Sequence, residues 1–269
     1  MKKTQRICII THILTENPNK DYSLGTFAEM FGCAKSSISD DIKLVREAID
    51  AAGLGYLETT SGAKGGVRYV PYISRPMAAE ALEELKKAFE EPSRMLGSGF
   101  VYTSDIMFNP RIIRGAAMVF AKRFASAEAD MVVTVETKGI GVALFTARLL
   151  NVPLAVIRHE SKVSEGSSIN INYFSGSADR LQQMSISKKG IRPGSRVLII
   201  DDFMRGGGSI LGILNMLKEF EAVPVGTGVV IVAGGRENKK LSDYVPLLIL
   251  NDQKEGKYSV EINPDMLAL

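Results

Sequence analysis

Apolar positions recur along this chain at two periods, and the change between them divides it. At first the period is helical. Ile7, Ile10 and Leu14 share one face of Thr4–Thr15, and Asn17-Pro18-Asn19 ends that helix, because proline disfavours helix in the residue before it. Ser23 then caps a second helix in which Leu24, Phe27, Ala28 and Phe31 fill positions i, i+3, i+4 and i+7. After the short turn Gly32-Cys33-Ala34-Lys35, a third helix starts at Ser36-Ser37, with Ser37 and Asp40 spaced as a capping box. Its stripe is Ile38, Ile42, Val45 and Ile49, and it stops near Gly53. Two strands follow, Tyr56–Thr60 and Val67–Val70, around the glycine-rich turn Ser61–Gly66. A hairpin directly after the third helix is the wing of a winged helix-turn-helix.

Beyond Pro76 the pattern changes. Met77–Glu90 is rich in strong helix formers, with Ala78, Leu82, Leu85 and Phe89 as a core or interface stripe. Phe100–Thr103 reads as a short strand and Pro110–Ala125 as a helix. From residue 131, strand-length apolar runs alternate with helices. Strands are expected at Met131–Val135, Leu154–Ile157, Arg196–Ile200, within Val223–Val232 and at Leu247–Leu250, and helices at Gly141–Leu150 and Ser209–Leu217. Leu181–Ile186 also alternates like a strand. The expected fold is α/β: a winged helix-turn-helix domain over residues 1–75, then a domain over 76–269 with a central parallel sheet. Ligands of such sheets bind beyond the C-terminal ends of the strands, so the loops after Val135, Ile157, Ile200 and Val232 carry the interest.

Composition narrows the class. At 45% hydrophobic and 23% charged residues, the chain reads as an ordinary soluble globular protein. No apolar run approaches membrane-spanning length and the N-terminus lacks a signal-peptide core, so a cytoplasmic protein is expected. Cys8 and Cys33 lie in apolar helical contexts and are expected to be buried free thiols. His12 and His159 stand far apart, and with only two cysteines no zinc cluster can be assembled by familiar spacing. The net charge of +3 does not by itself announce a nucleic-acid partner.

The densest chemistry is in Val197–Ser209. Four apolar residues read as a strand buried on both faces, followed by Asp201-Asp202-Phe203-Met204-Arg205, the run Gly206-Gly207-Gly208, and a helix starting at Ser209. Glycines let backbone N–H groups close on a phosphate, and the helix dipole favours its charge. The carboxylates are acceptors, suited to ribose hydroxyls or a bridging Mg²⁺. Thr137, Lys138 and Gly139 supply a hydroxyl, a cation and backbone N–H groups beside another helix start, a cradle for a second phosphate. After the second strand, Arg158 and Lys162 open a Ser/Gly-containing excursion, Ser161–Ser177, with the character of a mobile lid over a polyanion. Within it Tyr173 either stacks over the site or is a buried hairpin tyrosine.

In the N-terminal domain, Lys35, Ser36, Ser37 and Ser39 fall at the start of the recognition helix and suit phosphates and base edges. Lys43 and Arg46 lie off the apolar stripe, and Lys64 at the wing tip and Arg68 are placed to reach a neighbouring groove or phosphate. Asp40 and Asp41 on the same helix would repel phosphates, so a protein-docking module is the competing reading.

Strand, acids, glycine loop and helix resemble the phosphoribosyl pyrophosphate (PRPP) motif of type I phosphoribosyltransferases, and Thr137-Lys138-Gly139 resembles their pyrophosphate loop. Taken together, Ala34-Lys35-Ser36-Ser37-Ile38-Ser39, Gly62-Ala63-Lys64-Gly65-Gly66-Val67, Thr137-Lys138-Gly139, Glu165-Gly166-Ser167, Ile171-Asn172-Tyr173 and Asp201–Arg205 resemble the purine operon repressors of Gram-positive bacteria. That resemblance spans nearly the whole chain. It implies a dimeric regulator of purine synthesis, salvage and transport genes that binds operator DNA. It also implies a type I phosphoribosyltransferase-like domain with PRPP as effector, with or without Mg²⁺, and no catalytic residues. Active adenine-type transferases commonly carry a small residue and threonine where Arg205 and Gly206 stand, so a phosphate-binding hydroxyl is missing at Gly206. Arg205 either compensates as a cation or accommodates another phosphate pose. Phe174-Ser175 follow Tyr173 where those enzymes carry an acid. The alternative is an active purine phosphoribosyltransferase with a regulatory N-terminal domain.

Overall fold

The computed structural model describes residues 1–60, 66–94, 96, 101–160, 166–174, 181–234, 241–252 and 258–268. The chain forms two compact units, Met1–Ser74 and Arg75–Leu269, with the short stretch Arg148–Asn151 grouped with the first.

In the first unit, α1 (Lys3–Glu16) precedes β1 (Tyr22–Ser23), α2 (Leu24–Phe31), α3 (Lys35–Ala52), β2 (Gly55–Thr60) and β3 (Gly66–Pro71). The three strands pair in the order β1-β3-β2. The apolar stripes meet in one core of Ile10, Leu14, Phe27, Ile38, Ile42, Val45 and Ile49, closed by Leu57, Val67 and Tyr69 from the hairpin. Ser23 caps α2, its hydroxyl accepting from the Thr26 N–H at 3.0 Å. Gly32 ends α2 in the left-handed region, at φ 60°, which glycine adopts without steric penalty.

Two expectations fail here. The helix α3 starts at Lys35 with Ala34 as its cap and no side-chain cap bond, so Ser37 and Asp40 form no capping box. Ser37 is already inside the first turn. The thiols are not buried either: Cys8 is exposed and Cys33 half-buried, because the helical period carries Cys8 off the Ile10–Leu14 stripe.

The second unit opens with α4 (Arg75–Phe89), a single 3₁₀ turn at Pro92–Arg94, α5 (Ser104–Met107) and α6 (Pro110–Arg123). Then come β4 (Met131–Val135), α7 (Gly139–Leu150), β5 (Leu154–Ile157), β6 (Ser168–Phe174) and β7 (Leu181–Ser187). The unit ends with β8 (Arg196–Met204), α8 (Gly208–Glu219), β9 (Val223–Ala233), β10 (Val245–Asp252), β11 (Tyr258–Ile262) and α9 (Pro264–Leu267). Six strands form the sheet β11-β10-β9-β8-β4-β5. All neighbours are parallel except β10 and β11. The separate pair β6-β7 is an antiparallel hairpin. Val197, Leu198, Ile199 and Ile200 are fully buried, as their unbroken apolar run requires of a central strand covered on both faces.

The sheet departs from expectation at two places that matter for the site. β8 does not stop at Ile200: its ladder with β9 continues through Asp201, opposite Val229, to Met204, opposite Val232. Of the short strand expected at Phe100–Thr103, Phe100 lies outside the described residues, Val101 makes a single β-bridge, and Tyr102 and Thr103 lead directly into α5. Among the described residues, no helix is long and apolar enough to cross a membrane.

Candidate functional site

At the C-terminal end of β8, a cleft of about 190 Å³ is lined by Val101, Thr103, Lys138 and the continuous run Asp201–Ile210. Nine sequence-selected residues, Asp201 to Ser209, thus share one wall with a tenth, Lys138. The turn into α8 depends on Gly207, whose φ of 82° lies in the left-handed region. Its neighbours start the helix, and the first N–H groups of a helix have no intrahelical acceptor, which makes them ready donors to an anion.

The acid pair is held against its own charge. Asp201 is buried, and its Oδ1 accepts from the Asp202 N–H at 3.0 Å. Burial first, and the adjacent Asp202 second, push the Asp201 carboxyl well above the usual carboxylate range. Burial raises Asp202 as well, and Lys138 works in the opposite direction. Gly139 is required by contact: a Cβ there would lie 2.5 Å from Thr134 Oγ1 and 3.1 Å from Asp201 Oδ1. The loop after β4 therefore closes directly on the acid. Among the described residues, no three His, Cys, Asp or Glu side chains come together to hold a metal.

Other selected residues lie elsewhere. Thr137 is exposed beside the cleft, after a cis peptide bond at Glu136–Thr137. Arg158 does not line the cleft: its Nη1 is 3.4 Å from Glu136 Oε2, and its backbone pairs with Ser185. Glu136 also accepts from the His159 N–H at 2.8 Å, so this unanticipated carboxylate ties the loop after β4 to the loop after β5. Tyr173 takes the buried hairpin alternative. It is 6% exposed, donates to Gln182 Oε1 at 2.7 Å, packs its ring on α8 at Gly212, and shares a side-chain hydrogen bond with Ser209 of the cleft wall. Lys162 and Lys64 lie outside the described residues. Val101 and Thr103 were missed because they come from a segment far upstream that carries no motif.

In the first unit, Lys35 and Ser36 are exposed at the start of α3, and Ser37 and Ser39 are half-buried beside them. Lys43 stands exposed, 3.6 Å from Asp40. Arg46 donates to Thr59 Oγ1 at 3.3 Å, bracing α3 against the hairpin. Arg68 is not available as a bare cation: its Nε and Nη2 both reach Glu58 Oε2, at 2.8 and 2.6 Å, across the hairpin. Asp41, expected to repel phosphate, faces inward. It is fully buried and accepts from Arg6 Nε at 2.7 Å and Nη2 at 3.3 Å, which anchors α3 to α1.

A winged helix-turn-helix followed by a phosphoribosyltransferase-type sheet defines a class of transcription regulator built on a ligand-binding enzyme fold. Residues 2–71 match the family described as bacterial purine repressor, N-terminal, and residues 103–262 match the phosphoribosyl transferase domain. The chain belongs to the purine biosynthesis repressor family of transcriptional regulators. It is 40% identical to the purine biosynthesis transcriptional repressor PurR of Bacillus subtilis (strain 168), over 97% of this chain and 92% of that protein. It is 35% identical to the purine biosynthesis transcriptional activator PurR of Lactococcus lactis subsp. lactis (strain IL1403), over 97% of each. Among solved structures, the adenine phosphoribosyltransferase of Thermoanaerobacter pseudethanolicus shares the fold of the second unit. It has a TM-score of 0.54 and 19% identity, over 64% of this chain and 99% of that one.

Proposed function

We propose that this chain binds operator DNA as a homodimer and represses purine synthesis, salvage and transport genes, sensing PRPP in the cleft at the end of β8 without transferase catalysis. It works in the cytoplasm, where operator and PRPP are both found. The observation that carries the reading is the convergence of Asp201, Asp202, Lys138 and the Gly206–Ser209 loop on one cleft. Each part suits one part of PRPP. The loop and the α8 N-terminus donate to the 5′-phosphate, and the carboxylates accept from the ribose hydroxyls. Lys138 and the Thr137–Gly139 backbone face the pyrophosphate. An Mg²⁺ arriving with the ligand would meet carboxylate oxygen, the donor type that suits it.

Two features favour a sensor over an enzyme. Gly206 offers no hydroxyl to the phosphate, and the full-length relatives above are named as regulators. DNA binding falls to the α3 start, with Lys35, Ser36, Ser37 and Ser39, and to Lys43 beside it. One relative is a repressor and another an activator, so the sign of regulation is part of the proposal.

The deciding experiment is operator binding by the full chain across a PRPP titration at fixed salt. A changed operator affinity is expected, and an unchanged one would overturn the reading. Asp202→Ala should lose the PRPP response while keeping operator affinity. A parallel assay for nucleotide formation from PRPP and each purine base should give no product; any product restores the transferase alternative.

A further inference from the structure

The segment Val101–Asp105 contributes to the cleft from outside the sheet, and a buried arginine fixes it there. Arg94, 8% exposed, places Nη1 2.6 Å from Asp105 Oδ1 and Nη2 2.9 Å from Asp105 Oδ2. It also donates to the Tyr102 carbonyl at 3.3 Å, and the Tyr102 N–H donates back to the Arg94 carbonyl at 2.8 Å. Between these anchors lies Thr103.

Thr103 lines the same cleft as Asp201 and Asp202 and is 3% exposed. Its Oγ1 is buried and has no hydrogen-bond partner among the described residues. A threonine just before a helix ordinarily gives its hydroxyl to a backbone N–H of the first turn. Here the Thr103 carbonyl takes that role, accepting from the N–H groups of Ile106 at 3.1 Å and Met107 at 2.9 Å, and the hydroxyl makes no cap. A buried hydroxyl without a partner destabilises the protein that carries it. The chain holds this one rigidly in the wall of its ligand cleft.

We propose that Thr103 is a specificity-determining residue whose hydroxyl hydrogen-bonds an oxygen of the phosphorylated sugar held by Asp202 and the Gly206–Ser209 loop. The proposal rests on the phosphosugar reading of the cleft. Rotation about χ1 exchanges the methyl and hydroxyl positions of a threonine between staggered wells, so an arriving ligand can draw the hydroxyl to itself. The Arg94–Asp105 pair keeps the backbone still while it does so.

The test is PRPP titration calorimetry on the full chain, with thermal unfolding of the ligand-free proteins alongside. Thr103→Val keeps the shape and removes the hydroxyl. It should bind PRPP about tenfold more weakly, as loss of one hydrogen bond to a charged ligand requires. Its ligand-free Tm should be equal to or above that of the parent. Thr103→Ser should bind within about threefold of the parent, since it restores the hydroxyl. Unchanged binding by Thr103→Val, a Ser variant as weak as Val, or a lowered Tm for ligand-free Val would each overturn the role of Thr103 and leave the PRPP reading standing. Failure of the parent chain to bind PRPP would overturn both.

Discussion

Asp201 and Asp202 are carried inside β8, and that placement works against their charge. Asp201 is 6% exposed, with a second carboxylate as its neighbour in sequence. Burial and that neighbour raise its pKa above the usual carboxylate value, so the folded protein keeps a proton that the unfolded chain has released. Across the window from the ordinary carboxylate value up to the raised one, the unfolded state binds fewer protons, and stability falls as pH rises. Holding this acid in the buried strand is therefore a standing cost above the ordinary carboxylate range, present for what it binds. Asp201→Asn keeps an Oδ1 acceptor for the Asp202 N–H and removes the charge. For a relief of about 1 kcal/mol, ligand-free Tm at pH 7 should rise by roughly 2–4 °C. The gain should shrink as pH is lowered toward the ordinary carboxylate range, where Asp201 is neutral anyway. PRPP binding should fall in the same variant, because an amide cannot become the acceptor-only carboxylate that suits two ribose hydroxyls. Calorimetry over a pH series measures both, and a lowered Tm at pH 7 would contradict the account.

At the scale of elements, the link between β8 and α8 is the point where one residue sets the geometry. Gly207 has φ 82°, and a Cβ there would also lie 3.3 Å from Leu241 Cβ. Gly207→Ala should cost about 1–2 kcal/mol from the left-handed backbone alone. It should also weaken PRPP binding by re-aiming the first N–H groups of α8, with operator affinity preserved. Denaturant unfolding and PRPP titration separate the two effects. Much of this element was legible: an apolar run, two acids, glycines and a helical period fix strand, turn and helix in order. The strand's true end was not, because the ladder of Asp201 and Met204 with β9 is a tertiary property. The same limit hides the Val101–Thr103 wall and the pairing of Arg6 with Asp41, which join residues remote in sequence. Asp41 in particular reads as a surface charge until α1 is packed against α3. The capping box at Ser37 failed for a local reason, since α3 begins at Lys35, two residues earlier.

For the whole molecule, the small net charge of +3 means that operator binding must come from a few placed cations rather than a general positive field. The structure sorts them. Arg68 is held by Glu58 and Arg6 by Asp41, whereas Lys35 is exposed at the start of α3. Each phosphate contact contributes about 0.9 to the slope of log affinity against log salt. Lys35→Gln should therefore flatten that slope by about one, and Arg68→Gln should leave it nearly unchanged. Equal effects of the two would place Arg68 on the DNA and require its bond to Glu58 to open. Any coupling between operator and the proposed effector PRPP would obey a stricter rule. If PRPP changes operator affinity by some factor, saturating operator must change PRPP affinity by the same factor, commonly about 5- to 150-fold. Measuring PRPP binding to the chain with and without operator DNA checks this without reference to any promoter. A finite, matching factor from both directions means that operator and PRPP occupy separate sites on one protein. A PRPP effect that keeps growing with its concentration instead means that PRPP competes with DNA for the same cations. Lys35→Gln distinguishes these outcomes again: it should weaken operator binding in both cases, but it should weaken PRPP binding only under direct competition.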